Sequence, residues 1–166
     1  SERFHPPLTR LLKPGVIAIL RDNDARKNPA MLRRALDYVD FEKNARWHLV
    51  LGQMEPQELE ESYRRADIFL TTSFSEAFNL SLLQGMASGC ACLASDIPAH
   101  RELIREGVDG YLFDGEADMK EKLDLLIGSP ELRKMLGGYA REKAESYTWA
   151  RTAELTEKVF KWALED

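Results

Sequence analysis

The sequence predicts an α/β fold: a Rossmann-like parallel sheet of about five or six strands, with helices on both faces and a C-terminal helical tail. Three observations carry this. Short apolar runs alternate with stretches of helical period between residues 16 and 113, and such alternation with short connections builds a parallel sheet. The first run, 16–20, is apolar at every position, as in a strand buried on both faces. Beyond residue 113 the strand-like runs stop and only helical periods follow.

The elements follow in order. Residues 1–14 hold three prolines and little periodicity, so they read as a linker or lead-in, with the domain proper over 15–166. Residues 16–20 form the first strand, and 22–29 are polar and turn-like. Met31, Leu32, Ala35, Leu36 and Val39 give 30–39 a helical period. Residues 47–51 are the second strand, ended by Gly52. An acidic helix spans 55–65, with Leu59, Tyr63 and Ala66 on its apolar side and its glutamates on a solvated face. Pro56 sits in its first turn, where the missing N–H is tolerated.

The third strand is 68–71. A helix over 80–87 is stopped by Gly89, and a fourth strand covers 90–94. A short helix, 98–105, stops near Gly107, and a fifth strand covers 110–113. Helices over 119–127, 130–146 and 148–164 complete the chain, the part from about 130 to 166 forming the tail. Phe69, Leu82, Leu83 and Met86 are expected in the core, and Trp149 and Trp162 are spaced to pack the tail.

Composition narrows the function. A chain of 166 residues suits one domain, able to bury roughly two thirds of its unfolded surface. An apolar share of 44% with 31% charged residues is that of a folded, soluble protein rather than a disordered one. The net charge of -5 argues against a general nucleic-acid binder, yet leaves room for a local basic pocket.

The start, Ser1 to Phe4, has no apolar run behind it, so no signal peptide is expected. Two cysteines make no disulfide framework. Cys90 and Cys92 alternate on a buried strand as small apolar fillers, and the expected compartment is the cytoplasm. Residues 77–95 carry no charge over roughly the length of a membrane span. Asn79, Ser81, Gln84, Gly85, Ser88 and Gly89 interrupt that stretch, which reads instead as a helix, a glycine stop and a buried strand. No His, Asp and Cys cluster has metal-ligand spacing, so no metal is expected.

In such a fold, ligands bind beyond the carboxyl ends of the strands, where the strand order reverses. After the first strand, Arg21 and Lys27 flank a polar loop. Two cations there suit a diphosphate, or are simply a charged surface loop. Gly52, Gln53 and Met54 follow the second strand, and Ser95 and Asp96 the fourth. After the third come Thr72, Ser73, Ser75 and Glu76, and then a helix start with Asn79 as a good N-cap.

The N–H groups of Phe78, Asn79 and Leu80 would face an anion there. Glu76 beside it could accept sugar hydroxyls, or merely favour the helix dipole. Gln84 could reach a second ligand group, or be satisfied by backbone. His5, His48 and His100 read as surface or packing histidines. Asp22 and Asp24 would suit a phosphate-receiver domain, but Thr71 and Thr72 stand where that domain needs an aspartate.

The run S-F-S-E-A-F-N-L-S-L-L-Q-G-M-A-S-G-C-A-C-L-A-S-D, from Ser73 to Asp96, resembles the donor-site signature of retaining glycosyltransferases of family 4, E-G-F-G-L followed by E-A-M-A-x-G. Leu20-Arg21 through Lys27 resembles that family's G-R-x-x-x-x-x-K loop. Leu51-Gly52-Gln53 with Tyr63 to Asp67 resembles its F-L-G … Y-x-x-A-D block. Glu102-Leu103-Ile104 with Gly107 and Gly110 resembles its E-L-I-x-x-G-x-x-G ending, and Thr148-Trp149 the opening of its last helix. The likeness is collinear from about Arg3 to the end.

The resemblance implies the C-terminal, nucleotide-sugar-binding half of a GT-B fold, moving a sugar with retention in glycan biosynthesis. It implies that Arg21 and Lys27 hold the diphosphate and that Glu76, the catalytic residue, contacts the donor sugar. The backbone of Ala77, Phe78, Asn79 and Leu80 would meet sugar and phosphates, Gln84 the ribose, and Gly52, Gln53 and Met54 the base. No metal or other cofactor is implied.

The partners implied are a nucleotide sugar and a glycan or other acceptor held by an N-terminal half that this chain lacks. Peripheral membrane association of a full-length enzyme is also compatible. Arg3-Phe4-His5-Pro6 resembles the linker between the halves, so the chain is expected to start where the second half starts. Four departures from the family pattern stand out: Gln84 replaces a carboxylate, Ala77 and Asn79 replace glycines, Asn28 replaces the glycine after the lysine, and one strand–helix unit before the Leu51-Gly52 block is missing or very short. Gln84 and the missing unit motivate a second reading, a non-catalytic binding module of the same fold with a decayed site. An epimerase or phosphorylase of the same architecture also stays open.

Overall fold

The computed structural model describes residues 14–20, 24–42, 45–51 and 54–165; the lead-in falls outside them. Five strands, β1 (Gly15–Leu20), β2 (Arg46–Leu51), β3 (Ile68–Thr71), β4 (Ala91–Ser95) and β5 (Tyr111–Phe113), form one sheet in the order β2-β1-β3-β4-β5. Every pairing is parallel. The helices are α1 (Pro29–Glu42), α2 (Pro56–Arg64), α3 (Leu80–Ala87), α4 (Pro98–Leu103), α5 (Gly115–Gly128), α6 (Pro130–Glu145) and α7 (Trp149–Glu165). The alternation read from the sequence thus becomes a five-stranded sheet, with shifts of a few residues at most element ends and an earlier start for α5.

The chain runs outward from β1 to β2, then returns past β1 to lay down β3, β4 and β5 on the other side. The order therefore reverses between β1 and β3. It is the six-stranded doubly wound order with its outermost strand left out. The reversal lies away from the β2 edge of the sheet.

The register divides the core in two. Val16, Ile68 and Ala91 pair in one row and Ala18, Leu70 and Leu93 in another, all facing one side. They pack with Leu32, Ala35 and Val39 of α1 and Met119, Leu123 and Leu126 of α5. Ile17, Phe69 and Cys92 form the row between and face the other side. There they meet Tyr63 of α2, Leu82 and Met86 of α3, and Leu103 of α4. Such alternation on a fully apolar strand is why a parallel sheet needs helices on both faces. Leu83 is half-buried against this second cluster rather than within it.

Close packing is enforced by two glycines. A Cβ at Gly85 would lie 2.7 Å from Phe69 Cγ, and one at Gly137 only 2.2 Å from the Gly89 carbonyl oxygen. So α3 lies directly on β3, and α6 crosses the turn into β4. At the same end Asp67 is buried and accepts the Gly15 N–H at 2.8 Å through Oδ2. Its backbone donates to the Gly15 carbonyl at 2.7 Å and accepts from Ala91 at 2.9 Å. One residue thereby aligns the starts of β1, β3 and β4.

The tail corrects one expectation. Trp149 and Trp162 do not pack: they are 84% and 67% exposed, and the described side chains of α7 are all exposed. Both faces of the sheet are already covered by the earlier helices, so the apolar side of α7 finds no surface in this domain. No helix among the described residues is long and apolar enough to cross a membrane. The uncharged stretch 77–95 is α3 and β4 with their joining turns.

Candidate functional site

The reversal between β1 and β3 places the loops after these two strands side by side. After β1 a 3₁₀ turn, Ala25–Lys27, is capped by Asp24, whose side chain accepts the Arg26 N–H. The Arg26 guanidinium also grips Asp24 through two bonds of 2.9 Å, and this pairing holds the Asp24 carboxyl below its ordinary range. Asn28 then takes a left-handed conformation, φ 50°, and its Oδ1 accepts the Met31 N–H at the start of α1.

The loop after β3 is tied to that turn at several points. The Thr72 hydroxyl donates to the carbonyls of Lys27 and Asn28 at 3.0 and 3.2 Å. The Phe74 N–H donates to the Arg26 carbonyl at 2.7 Å, and the Ser95 hydroxyl, from the end of β4, donates to the Ser73 carbonyl at 2.5 Å. Within this frame Lys27 Nζ lies 2.5 Å from Glu76 Oε1, which also accepts from the Ser73 hydroxyl at 2.7 Å. Both charged side chains are largely buried, with 23% and 12% exposed.

Asn79 follows, again left-handed at φ 56°, and its Oδ1 accepts the Leu82 N–H at 3.1 Å. The two asparagines do what glycine could not at either position. Glycine accepts a positive φ, but only a side chain such as asparagine's can also cap the helix that follows. The N–H groups of Leu80 and Ser81, the first of α3, have no partner among the described residues. They carry the positive end of the helix dipole.

The loops and the α3 start line an open cleft of about 360 Å³, into which Arg26, Lys27, Ser73, Glu76, Phe78 and Asn79 contribute. Ala77 and Leu80 line it too, so of the residues expected at a site, Lys27, Glu76 and 77–80 converge. Gln84 lies one turn further along α3, half-buried, with no hydrogen bond from its amide to a described residue and no share in the cleft lining. Met54 is half-buried against the second core cluster. Arg21, Gly52 and Gln53 lie outside the described residues, as does the His48 side chain. No group of three or more His, Cys, Asp or Glu among the described residues is placed to hold a metal.

Two residues, one lining the cleft and one behind it, carry no mark of the site in the sequence. Arg26 lines the cleft beside Lys27, and nothing in the sequence separates such neighbours. His100, open between surface and packing in the sequence, is fully buried. Its Nε2 lies 2.8 Å from Asn79 Nδ2, and its Nδ1 lies 2.7 Å from the Ser95 carbonyl. Burial holds its pKa below the usual value, although the Ser95 bond opposes this. No signal in the sequence links it to Asn79, 21 residues earlier.

A cation, a carboxylate and an open helix start thus meet at the switch point of a parallel α/β sheet, the place where folds of this class take their ligands. Residues 14–143 match the family described as Glycosyl transferases group 1, and the chain belongs to it. A D-inositol 3-phosphate glycosyltransferase from Nocardia farcinica is 35% identical over 106 residues, 63% of this chain and 24% of that protein. The chain spans 24% to 30% of the length of this and two similar curated relatives.

Among solved structures, the C-terminal domain of a glycosyl transferase group 1 family protein from Francisella tularensis superposes with a TM-score of 0.71. It is 20% identical, with 87% of this chain and 95% of that domain covered. A point mutant of TarM from S. aureus, solved in complex with fondaparinux, alpha-GlcNAc-glycerol and UDP, gives 0.78 at 20% identity, with 94% of this chain and 36% of that one covered. At these identities the structures speak for the fold alone.

Proposed function

We propose that this chain is the donor-binding, C-terminal half of a retaining glycosyltransferase of family 4, which takes its sugar from a nucleoside diphosphate. One observation carries the reading. Lys27, Glu76 and the N–H groups at the start of α3 that have no partner among the described residues meet at the point where the strand order reverses. In this reading Lys27, Arg21 and the α3 start take the charge of the diphosphate as its bond to the sugar breaks, so no metal is needed. Glu76 accepts hydrogen bonds from the donor sugar, and Ala77 to Leu80 present backbone to sugar and phosphates. Gln84 faces the ribose with an amide in place of a carboxylate, and Gly52, Gln53 and Met54 flank the base.

The acceptor, a glycan or similar molecule, belongs to a second half that closes the cleft. This domain alone is then a poor catalyst, because the reacting groups are not brought together. Its buried free thiols, Cys90 and Cys92, suit the cytoplasm. Gln84 is the observation that favours the second reading, a binding module with a decayed site.

Calorimetric titration of the folded chain with UDP, GDP and ADP separates the two. Heat of binding with one of them, lost in an Arg21→Ala variant, is the expected result. No binding by any of the three would favour the decayed module, and an Arg21→Ala variant that binds equally well would remove Arg21 from the phosphate site.

A further inference from the structure

His100 occupies a position that neither the motif nor the cleft lining explains. It is buried on α4, and both ring nitrogens are engaged. The hydrogen-bond pattern fixes its protonation. The Leu82 backbone N–H can only donate, so the Asn79 atom it meets at 3.1 Å is the carbonyl Oδ1. The Asn79 amide nitrogen therefore faces Thr71 Oγ1 at 3.3 Å and His100 Nε2 at 2.8 Å. An amide nitrogen only donates, so Nε2 must be bare. The ring proton sits on Nδ1 and is given to the Ser95 carbonyl at 2.7 Å.

We infer that His100, as the neutral Nδ1–H tautomer, is a positioning residue of the donor site: it holds the Asn79 amide in place, and through it the left-handed turn that opens α3 toward the diphosphate. The inference rests on the donor-site reading for its functional half and on the hydrogen-bond geometry for its structural half. Asn79 sits at φ 56°, a conformation that strains a non-glycine residue. Its side chain is held at Leu82, Thr71 and His100, and those bonds offset the strain.

A proton on Nε2 would set an N–H against the Asn79 N–H and push the amide away. The turn carrying the unpartnered Leu80 and Ser81 N–H groups would then lose its anchor. The charged groups that bear on the ring are Glu76 and Lys27 from the two cleft loops and Asp96 beyond β4. The two carboxylates favour the charged ring and Lys27 opposes it; burial outweighs them and keeps the ring neutral. Occupation of the cleft by a diphosphate would add negative charge near Glu76. The arrangement thus predicts that acid weakens the site through a residue that never touches the ligand.

Two measurements on the full chain test this. The first is nitrogen-15 NMR of the imidazoles, with amide hydrogen exchange at Leu82, between pH 8 and pH 5. A neutral Nδ1–H signal for His100 at pH 7.5, and loss of Leu82 protection as that signal titrates, are expected. A His100 that is charged or Nε2–H at pH 7.5, or Leu82 protection indifferent to its titration, overturns the inference.

The second compares UDP, GDP and ADP binding by the wild type, His100→Gln and His100→Leu at pH 7.5 and 5.5, each checked for folding by circular dichroism. Glutamine can accept from Asn79 and donate to Ser95, so His100→Gln should bind within about threefold of wild type at pH 7.5. It should lose less affinity than wild type at pH 5.5. His100→Leu should bind about tenfold more weakly at both pH values, one hydrogen bond's worth. Titration of the ligand's own phosphate is common to all three proteins and cancels in the comparison. A folded His100→Leu with wild-type affinity and pH profile overturns the inference. A wild type that binds none of the three nucleotides contradicts the donor-site reading instead, and the NMR measurement still decides the role of His100.

Discussion

Lys27, on the turn after β1, and Glu76, on the loop after β3, form an ion pair of 2.5 Å although 49 residues separate them. The pair exists because β3 lies next to β1 in the sheet, so the residues that follow each strand share one cleft. Each charge satisfies the other. In the proposed donor site a diphosphate would compete with Glu76 for Lys27, and a sugar with Lys27 for Glu76.

This sets opposite effects for the two neutralising variants. Lys27→Met should weaken binding of UDP, GDP or ADP by roughly 10- to 100-fold, the loss of one charge-assisted contact. Glu76→Gln releases Lys27, so the same nucleotides should bind at least as tightly as to wild type, while the matching nucleotide sugar loses affinity. Calorimetry on both ligand types checks the pair. A Glu76→Gln variant that weakens the bare nucleotide more than the nucleotide sugar would contradict the assignment of Glu76 to the sugar.

The Asn79 position predicts a reversal of the usual alanine-versus-glycine order in helices. Either substitution loses the cap and leaves His100 without its donor. Alanine must in addition hold a positive φ, so Asn79→Ala should be less stable than Asn79→Gly by about 1 kcal/mol or more. Urea unfolding monitored by circular dichroism gives both values.

His100 also predicts a slope of stability with pH. Burial lowers its pKa in the folded chain below the ordinary 6.5. The unfolded chain then binds the proton more readily, and stability falls as pH drops below about 6.5 toward the folded value. Above that range His100 contributes no slope. The difference between the wild type and His100→Gln should therefore narrow as pH falls through this window, in thermal melts or urea titrations at constant salt. A difference independent of pH would contradict it.

Adjacent glycines on α6 should respond with opposite sign. A Cβ at Gly137 meets the Gly89 carbonyl oxygen at 2.2 Å, whereas one at Gly138 meets nothing within 4 Å. Gly137→Ala should lose about 1–3 kcal/mol through overpacking against backbone. Gly138→Ala should gain about 0.5–1 kcal/mol through helix propensity. Chemical denaturation of the two variants side by side is sufficient.

Much of the site is legible in the sequence because its parts are local. The apolar run ending at Thr71, the carboxylate at Glu76, the cap at Asn79 and the stop at Gly89 are each set by neighbours in the chain, and α3 runs over the residues expected. Lys27 is legible as a cation after a strand. The role of His100 is not legible, because its partners, Asn79 and the Ser95 carbonyl, come from the start of α3 and the end of β4. No spacing rule links them. The tail departs from expectation for a related reason: an apolar stripe on α7 says that something should cover it, not that this domain does.

The sequence by itself determined the alternation of strands and helices and which residue types follow each strand, since backbone periodicity and capping act over a few residues. Only the tertiary structure decided that β1 and β3 are neighbours, and that Lys27 meets Glu76 while His100 meets Asn79. Those are choices of packing between segments far apart in the chain. They are settled by which apolar faces can be buried together, and that depends on the whole fold rather than on any one segment.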